Sequence, residues 1–336
     1  SFISLYLHLS SSIFMFEYKN KPFIYIMYDI PILFIFFNRL EVAQKTFERI
    51  REARPSRLYL AQDGFRKEKG EPEAKKIMQI RETILSMIDW DCEVKTLFRQ
   101  SNVGCGMGVK SAIDWMFENE ECGIILEDDC VVHHSFWPYM SELLSRYAAD
   151  QRIGMIAGYN PLGKAYSGVS YTFSRYKACW GWATWRRAWK QMDIDMKWRA
   201  SDVYDSVINN MGGNGCDQRY WTYRLKAIDH NYVSAWDWQW YFTLSSQNQL
   251  CVFPSCNLVN NIGFGEDATH TSLTGATKST DTNAITFPLI HPDYIVPNTH
   301  FDKCFYKYNN TIYNSIIQRI PFSLKRWIKA KILNRK

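Results

Sequence analysis

The chain has 336 residues, 46% apolar and 22% charged, with no internal repeat or low-complexity linker. That composition excludes a disordered protein and supplies one large core or two intimately packed ones. Its net charge of +6 is uneven: Arg319, Lys325, Arg326, Lys329, Lys331, Arg335 and Lys336 place +7 in a tail with no acid, so 6 − 7 = −1 remains on the body, which carries no basic patch and gives nucleic acid no footing.

Residues 1–26 form an unassigned N-terminal extension. Ser1 to Phe16 is apolar-rich but broken by serines and shorter than the ~20 residues a membrane span needs. No basic stretch precedes it and no small-residue cleavage site is clear, so it does not read as a signal peptide; a membrane anchor stays open. From Pro31 the pattern alternates strand and helix. Pro31 to Phe37 is a continuous apolar run, Val42 to Ala53 a helix, and Arg57 to Ala61 a strand ending in Gln62-Asp63-Gly64. Lys75 to Ile88 reads as a helix, Glu93 to Phe98 as a strand, Met107 to Glu118 as a helix and Gly123 to Leu126 as a fourth strand. Ser135 to Ala149 continues as a helix and Ile153 to Ala157 as a strand. This rhythm predicts an α/β protein with a mostly parallel twisted sheet flanked by helices, which binds ligands at the carboxyl ends of its strands.

The polar residues fall at those ends. Arg39 follows the first strand, Asp63 ends the second, Asn102-Val103-Gly104-Cys105-Gly106 follows the third, and Glu127-Asp128-Asp129 ends the fourth. Three consecutive carboxylates at a strand end need an offsetting cation, and oxygen donors of this kind suit Mg²⁺ or Mn²⁺ carrying a phosphorylated ligand. A solvated acidic turn after a core strand would show the same residues. The glycines of 104–108 match neither a P-loop nor a dinucleotide fingerprint.

Near residue 178 the character changes, giving a soft boundary between a first half, 27–178, that carries the acid-lined strand ends, and a second half, 179–318, that looks like an acceptor-side lobe of the same domain. Trp180, Trp182, Trp185, Trp189 and Trp198 crowd one segment, and Trp236, Trp238 and Trp240 bracket Asp237. Thirteen Trp with twenty each of Tyr and Phe suit sugar-stacking surfaces and a thick core equally. Nine cysteines without a C-x-x-C pair or paired Cys/His spacing indicate neither zinc nor a disulfide framework, but reduced thiols and a cytoplasmic compartment. Asn309-Asn310-Thr311 fits a glycosylation acceptor, though nothing else suggests secretion. In the tail, 319–336, Phe322, Leu324, Trp327, Ile328, Ile332 and Leu333 interleave with the basic residues at roughly helical spacing. This reads as an amphipathic helix drawn to an anionic membrane surface, peripheral on its cytoplasmic face, or as a solvated helix packed on the body.

Several of these residues, in order over about residues 31–270, give a resemblance to the GT-A nucleotide-sugar transferases, specifically the N-acetylglucosaminyltransferase I family and its bacterial relatives. They are Arg39, Gln62-Asp63, Glu127-Asp128-Asp129, Trp180-Gly181-Trp182, Trp236-Asp237, and Gly263-Phe264-Gly265 leading to His270. The resemblance implies a GT-A fold and a UDP-sugar donor, with Asp63 pairing the base, Arg39 against the nucleotide, Glu127 and Asp128 on the ribose or sugar, and Asp129 as ligand of Mn²⁺ or Mg²⁺. His270, in a loop able to close over the donor, would reach the phosphates or the metal. An inverting transfer needs a base for the acceptor hydroxyl. Asp237 is the candidate, with Trp236 and Trp238 to desolvate it and to stack on sugar rings. The family has a second acid where this chain has Trp238, so Asp217 or Glu266 stays open for that role.

The reading is an inverting, metal-dependent glycosyltransferase moving a sugar, N-acetylglucosamine by the resemblance, to a hydroxyl of a glycan or lipid-linked acceptor. A sugar nucleotidyltransferase is the enzymatic alternative, but Asn38-Arg39-Leu40-Glu41 lacks the glycine-rich loop it needs after the first strand. A non-catalytic glycan-binding or scaffold protein is the other.

Overall fold

The computed structural model describes residues 11–18, 21–163, 168–212, 215–231, 236–263, 281–310, 316 and 318–333. An apolar hairpin, β1 (Ser11–Tyr18) and β2 (Lys21–Tyr28), occupies most of the N-terminal extension and runs past residue 27. The chain then enters β3 (Ile32–Phe36), a run of branched and aromatic residues buried along nearly its whole length, as a strand covered on both faces requires.

Alternating helices and strands follow: α1 (Leu40–Ala53), β4 (Arg57–Gln62), α2 (Gly70–Ser86), β5 (Glu93–Phe98), α3 (Cys105–Asn119) and β6 (Cys122–Glu127). Helix α2 begins at Gly70 rather than Lys75, because Pro72 lies in its first turn, where a missing N–H breaks no helical bond. Beyond a two-residue turn come β7 (Cys130–Val132), α4 (Phe136–Arg146), β8 (Ile153–Ala157), β9 (Tyr171–Ser174) and β10 (Trp182–Trp185). The short α5 (Arg186–Trp189), α6 (Tyr204–Asn210), α7 (Gly215–Asp229), α8 (Asp237–Ser246), β11 (Leu250–Pro254), β12 (Val259–Asn261), α9 (Thr299–Asn309) and α10 (Phe322–Leu333) complete the described elements.

Eight strands form the central sheet in the order β5-β4-β3-β6-β10-β8-β11-β9. Strands β3 to β6 pair in parallel, and β11 pairs in parallel with β8; β10 runs against β6 and β8, and β9 against β11. The fold is thus α/β with a mostly parallel sheet, as the sequence predicts. β10 and β11, from beyond residue 178, share that sheet with the early strands. The edge strand β5 keeps Glu93 and Val94 exposed and Lys95 half-buried, a charged border that discourages further pairing.

The tryptophans of the second half are core. Trp182, fully buried, stacks on Trp236 with centroids 5.8 Å apart, and Trp189 and Trp240 close the cluster at 4.8 Å. Trp236 therefore offers no sugar-stacking face, which corrects that part of the sequence reading. Instead the cluster welds β10 to the first turn of α8, the turn that carries Asp237. Replacing Trp182 with Ala should lower unfolding free energy by about 3–5 kcal/mol, measured by chemical denaturation. A loss under about 1 kcal/mol, the scale of an ordinary surface change, would contradict this packing.

Candidate functional site

The turn Asp128-Asp129 between β6 and β7 sits at the carboxyl edge of the sheet, facing Arg39, the residue before α1. Arg39 Nη2 donates to Asp128 Oδ1 and, at 3.0 Å, to Asp129 Oδ2, while Nε reaches Asp128 Oδ2 at 3.4 Å. One guanidinium thus spans two carboxylates. Helix α1 ties the same turn from its backbone side, where Thr46 Oγ1 donates to the Asp128 carbonyl at 2.7 Å.

Asp129 is held from a third direction. Strand β12 pairs with β7, bringing Asn261 opposite Cys130. The amide of Asn261 donates to Asp129 Oδ1 at 3.2 Å, and the Ile262 N–H donates to the Asp129 carbonyl at 2.9 Å. Gly263 comes next and touches the site with backbone alone: a Cβ there would lie 2.1 Å from Asp129 Oδ2 and 3.1 Å from Arg39 Nη1. Asn261 was missed in the sequence, where an Asn-Asn pair before glycines was the only local signal.

Charge at this edge is unbalanced. Glu127 is pushed up to about 8 by desolvation, then by Asp129, Asp128 and Asp237, with Arg39 working the other way. Asp128 rises to about 6, chiefly through burial and Asp129, moderated by Arg39. Asp237, the first residue of α8, also rises to about 6 through desolvation, which the Trp238 N–H and Arg224 partly oppose. Cys105, at the start of α3, lies in the field of all four carboxylates. The structure therefore brings Arg39, Glu127, Asp128, Asp129 and Asp237 to one edge.

Asp63, half-buried at the end of β4, is turned toward the glycine-containing loop rather than to these acids. Its carboxylate accepts from the N–H groups of Gly64 at 2.9 Å, Val103 at 3.0 Å and Gly104 at 3.0 Å, pinning the loop that leads into α3. His270 and Glu266 lie outside the described residues, as does the side chain of Asp217. Trp238, partly exposed, is covered on one face by the guanidinium of Arg224, 4.3 Å from its ring centroid. Arg224 itself, on α7, carried no sequence signal. His133 and His134 follow β7, and their ring centroids lie 3.9 Å apart.

Among the described residues no three His, Cys, Asp or Glu side chains are arranged to enclose a metal ion. The edge nevertheless fits a hard divalent cation bound openly. Its donors are carboxylate oxygens, its negative charge exceeds what Arg39 offsets, and phosphate oxygens and water would complete the shell.

No family model and no curated protein matches the chain in sequence. Solved structures match weakly. The mannosyltransferase PcManGT from Pyrobaculum calidifontis, in complex with GDP-Man and Mn²⁺, is 9% identical with a TM-score of 0.32 over 47% of this chain and 45% of its own. A cytidylyltransferase from Leptospira borgpetersenii is 13% identical with a TM-score of 0.30, over 49% of this chain and 63% of its own. An apo UDP-glucose pyrophosphorylase is 10% identical with a TM-score of 0.33, over 68% and 93%. The chain thus spans about half the length of the first of these and under two thirds of the second.

Two substitutions probe this edge. Arg39→Ala strands two carboxylates and should cost about 3–5 kcal/mol of stability at pH 8. Acids whose folded pKa is raised destabilise once ionised, so that loss should shrink as the pH falls toward 5 and they take up protons. Denaturant titrations at the two pH values test this, and a loss that grows on acidification would refute it. Gly263→Ala should displace the Asp129 carboxylate and weaken Mn²⁺ binding by roughly tenfold or more, read by calorimetry; unchanged affinity would show that Asp129 does not need its present position.

Proposed function

We propose that the chain is an inverting, divalent-metal-dependent glycosyltransferase that uses a nucleoside diphosphate sugar, UDP-linked by the resemblance, and passes the sugar to a hydroxyl of a glycan or lipid-linked acceptor. The observation that carries this reading is the carboxylate edge itself: Glu127, Asp128 and Asp129 at a parallel strand end, with Asp237 in their field and one guanidinium to balance them. Asp129, partly exposed and fixed by Arg39 and Asn261, is the protein ligand for the cation, and Glu127 and Asp128 face the ribose or the sugar. When bound, Mn²⁺ or Mg²⁺ supplies Lewis acidity toward the diphosphate.

The chain's own residues do the rest. Asp63 holds the 103–104 loop beside the nucleotide. Asp237 takes the proton of the acceptor hydroxyl while that oxygen forms its bond to the anomeric carbon, and the electron pair of the broken C–O bond leaves with the diphosphate. Burial gives Asp237 a proton affinity suited to this, and the Trp238 N–H and Arg224 limit the rise. N-acetylglucosamine as the donated sugar, and His270 as a donor contact, rest on the resemblance alone.

A panel of nucleotide sugars titrated calorimetrically with and without Mn²⁺ tests the donor site. Metal-dependent binding of one donor, lost in Asp129→Ala, is expected. Binding of a nucleoside triphosphate with a sugar phosphate, and release of pyrophosphate, would instead make the chain a nucleotidyltransferase. For the base, Asp237→Asn should lower kcat by roughly 10²–10⁴-fold with donor affinity kept. The wild-type rate should climb with pH through about 6, where Asp237 loses its proton, and then level off. Retained turnover in the variant would remove the assignment.

A further inference from the structure

We infer that α10 is a docking surface for an anionic lipid bilayer, held at a set orientation by α7. One face of α10 is committed to the body. Phe322 stacks on Tyr223 with centroids 5.5 Å apart and planes 12° from parallel, and contacts His230 at 4.8 Å. Lys325, 6% exposed, donates from Nζ to Tyr223 Oη at 2.7 Å and lies 4.3 Å from the Tyr223 ring centroid. At ~100° per residue, Phe322 and Lys325 share one side of the helix, and Leu324, Trp327 and Lys331 share the opposite side. On that side Leu324 is 45% and Trp327 54% exposed, with Lys331 Nζ 4.4 Å from the Trp327 ring centroid.

The occupant follows from charge and depth. From Arg319 to Lys336 there are seven basic residues and no acid, on a body of net charge −1, so the tail alone attracts an anionic surface. A tryptophan and a leucine beside lysines suit the headgroup boundary, where the apolar groups enter shallowly and the ammonium stays with lipid phosphate. No helix among the described residues is long and apolar enough to cross a bilayer, so the contact is peripheral. A nucleic acid would use the charge but not the exposed Leu324.

The seat of α10 also relates it to the proposed site. Tyr223, which grips the tail, neighbours Arg224 on α7, and Arg224 covers Trp238 next to Asp237. If the transferase reading holds, its acceptor side lies one helix from the docked bilayer, and the acceptor is the lipid-linked class.

The docking claim itself is tested without catalysis, by flotation of the full chain with vesicles. Vesicles of equal parts phosphatidylglycerol and phosphatidylcholine should bind roughly tenfold or more tighter than phosphatidylcholine alone, and raising the salt from ~0.1 to ~0.5 M should weaken that binding. The Leu324→Ser/Trp327→Ser double variant should lose it by roughly tenfold, and Lys331→Glu should weaken it, with far-UV circular dichroism and thermal melting unchanged. Equal binding to both vesicle types, a double variant that binds as wild type, or displacement by duplex DNA at matched phosphate would overturn the inference. Calorimetry with nucleotide sugars reports separately on the donor site, so either claim can fail alone.

Discussion

Arg39 bonds Asp128 and Asp129 at the end of a strand that is buried along most of its length, and the rest of the edge is arranged around that contact. At the effective dielectric of a protein edge, two like charges ~4 Å apart repel by about 4 kcal/mol. Glu127, Asp128 and Asp129 around one guanidinium therefore resist ionising together, and that repulsion adds to burial in raising Glu127 and Asp128, whereas Asp237 is raised by burial. Thr46, Asn261 and the backbone at Ile262 hold the turn in place from other elements. The carboxylate oxygens of this edge are thus held in place by the protein's own contacts, as the proposed binding of a cation with a diphosphate would require.

The second half of the chain contributes mainly position. Its tryptophans pack on one another, and their burial orients the first turn of α8 so that Asp237 joins the acids from another element. Gly181 shows the tightness of this junction: its φ of +57° lies in the left-handed region, and a Cβ there would meet a Val259 methyl at 2.8 Å. β12, which carries Val259 and Asn261, is thereby pressed against the strands that hold the site. Core packing and site geometry are coupled through these few residues.

The parallel half was legible because its signals are local. Strands such as Glu93–Phe98 and Ile153–Ala157 have the predicted bounds, since a short apolar or alternating run between turn residues admits few other readings. The convergence of Arg39 with the acid turn followed from the rule that βα loops gather at one sheet edge. The hairpin Ser11–Tyr28 was not legible, because its strands SSIFMFEY and KPFIYIMY are near-continuous apolar runs without the alternation that marks a strand. Nor was the role of Asn261, which meets Asp129 across 132 positions of sequence, or the burial of Trp236, which depends on strand β10 lying beneath it. Aromatic residues look alike in sequence whether they face a sugar or each other.

Crystals of the chain soaked with Mn²⁺ and UDP, measured at the manganese absorption edge, test the central claim most directly. An anomalous peak within coordination distance of an Asp129 oxygen and of the UDP diphosphate, with Arg39 still on Asp128, is the predicted result. UDP bound elsewhere, or no manganese at the Asp128-Asp129 turn, would contradict the account and leave the acid turn a charge-balanced structural corner.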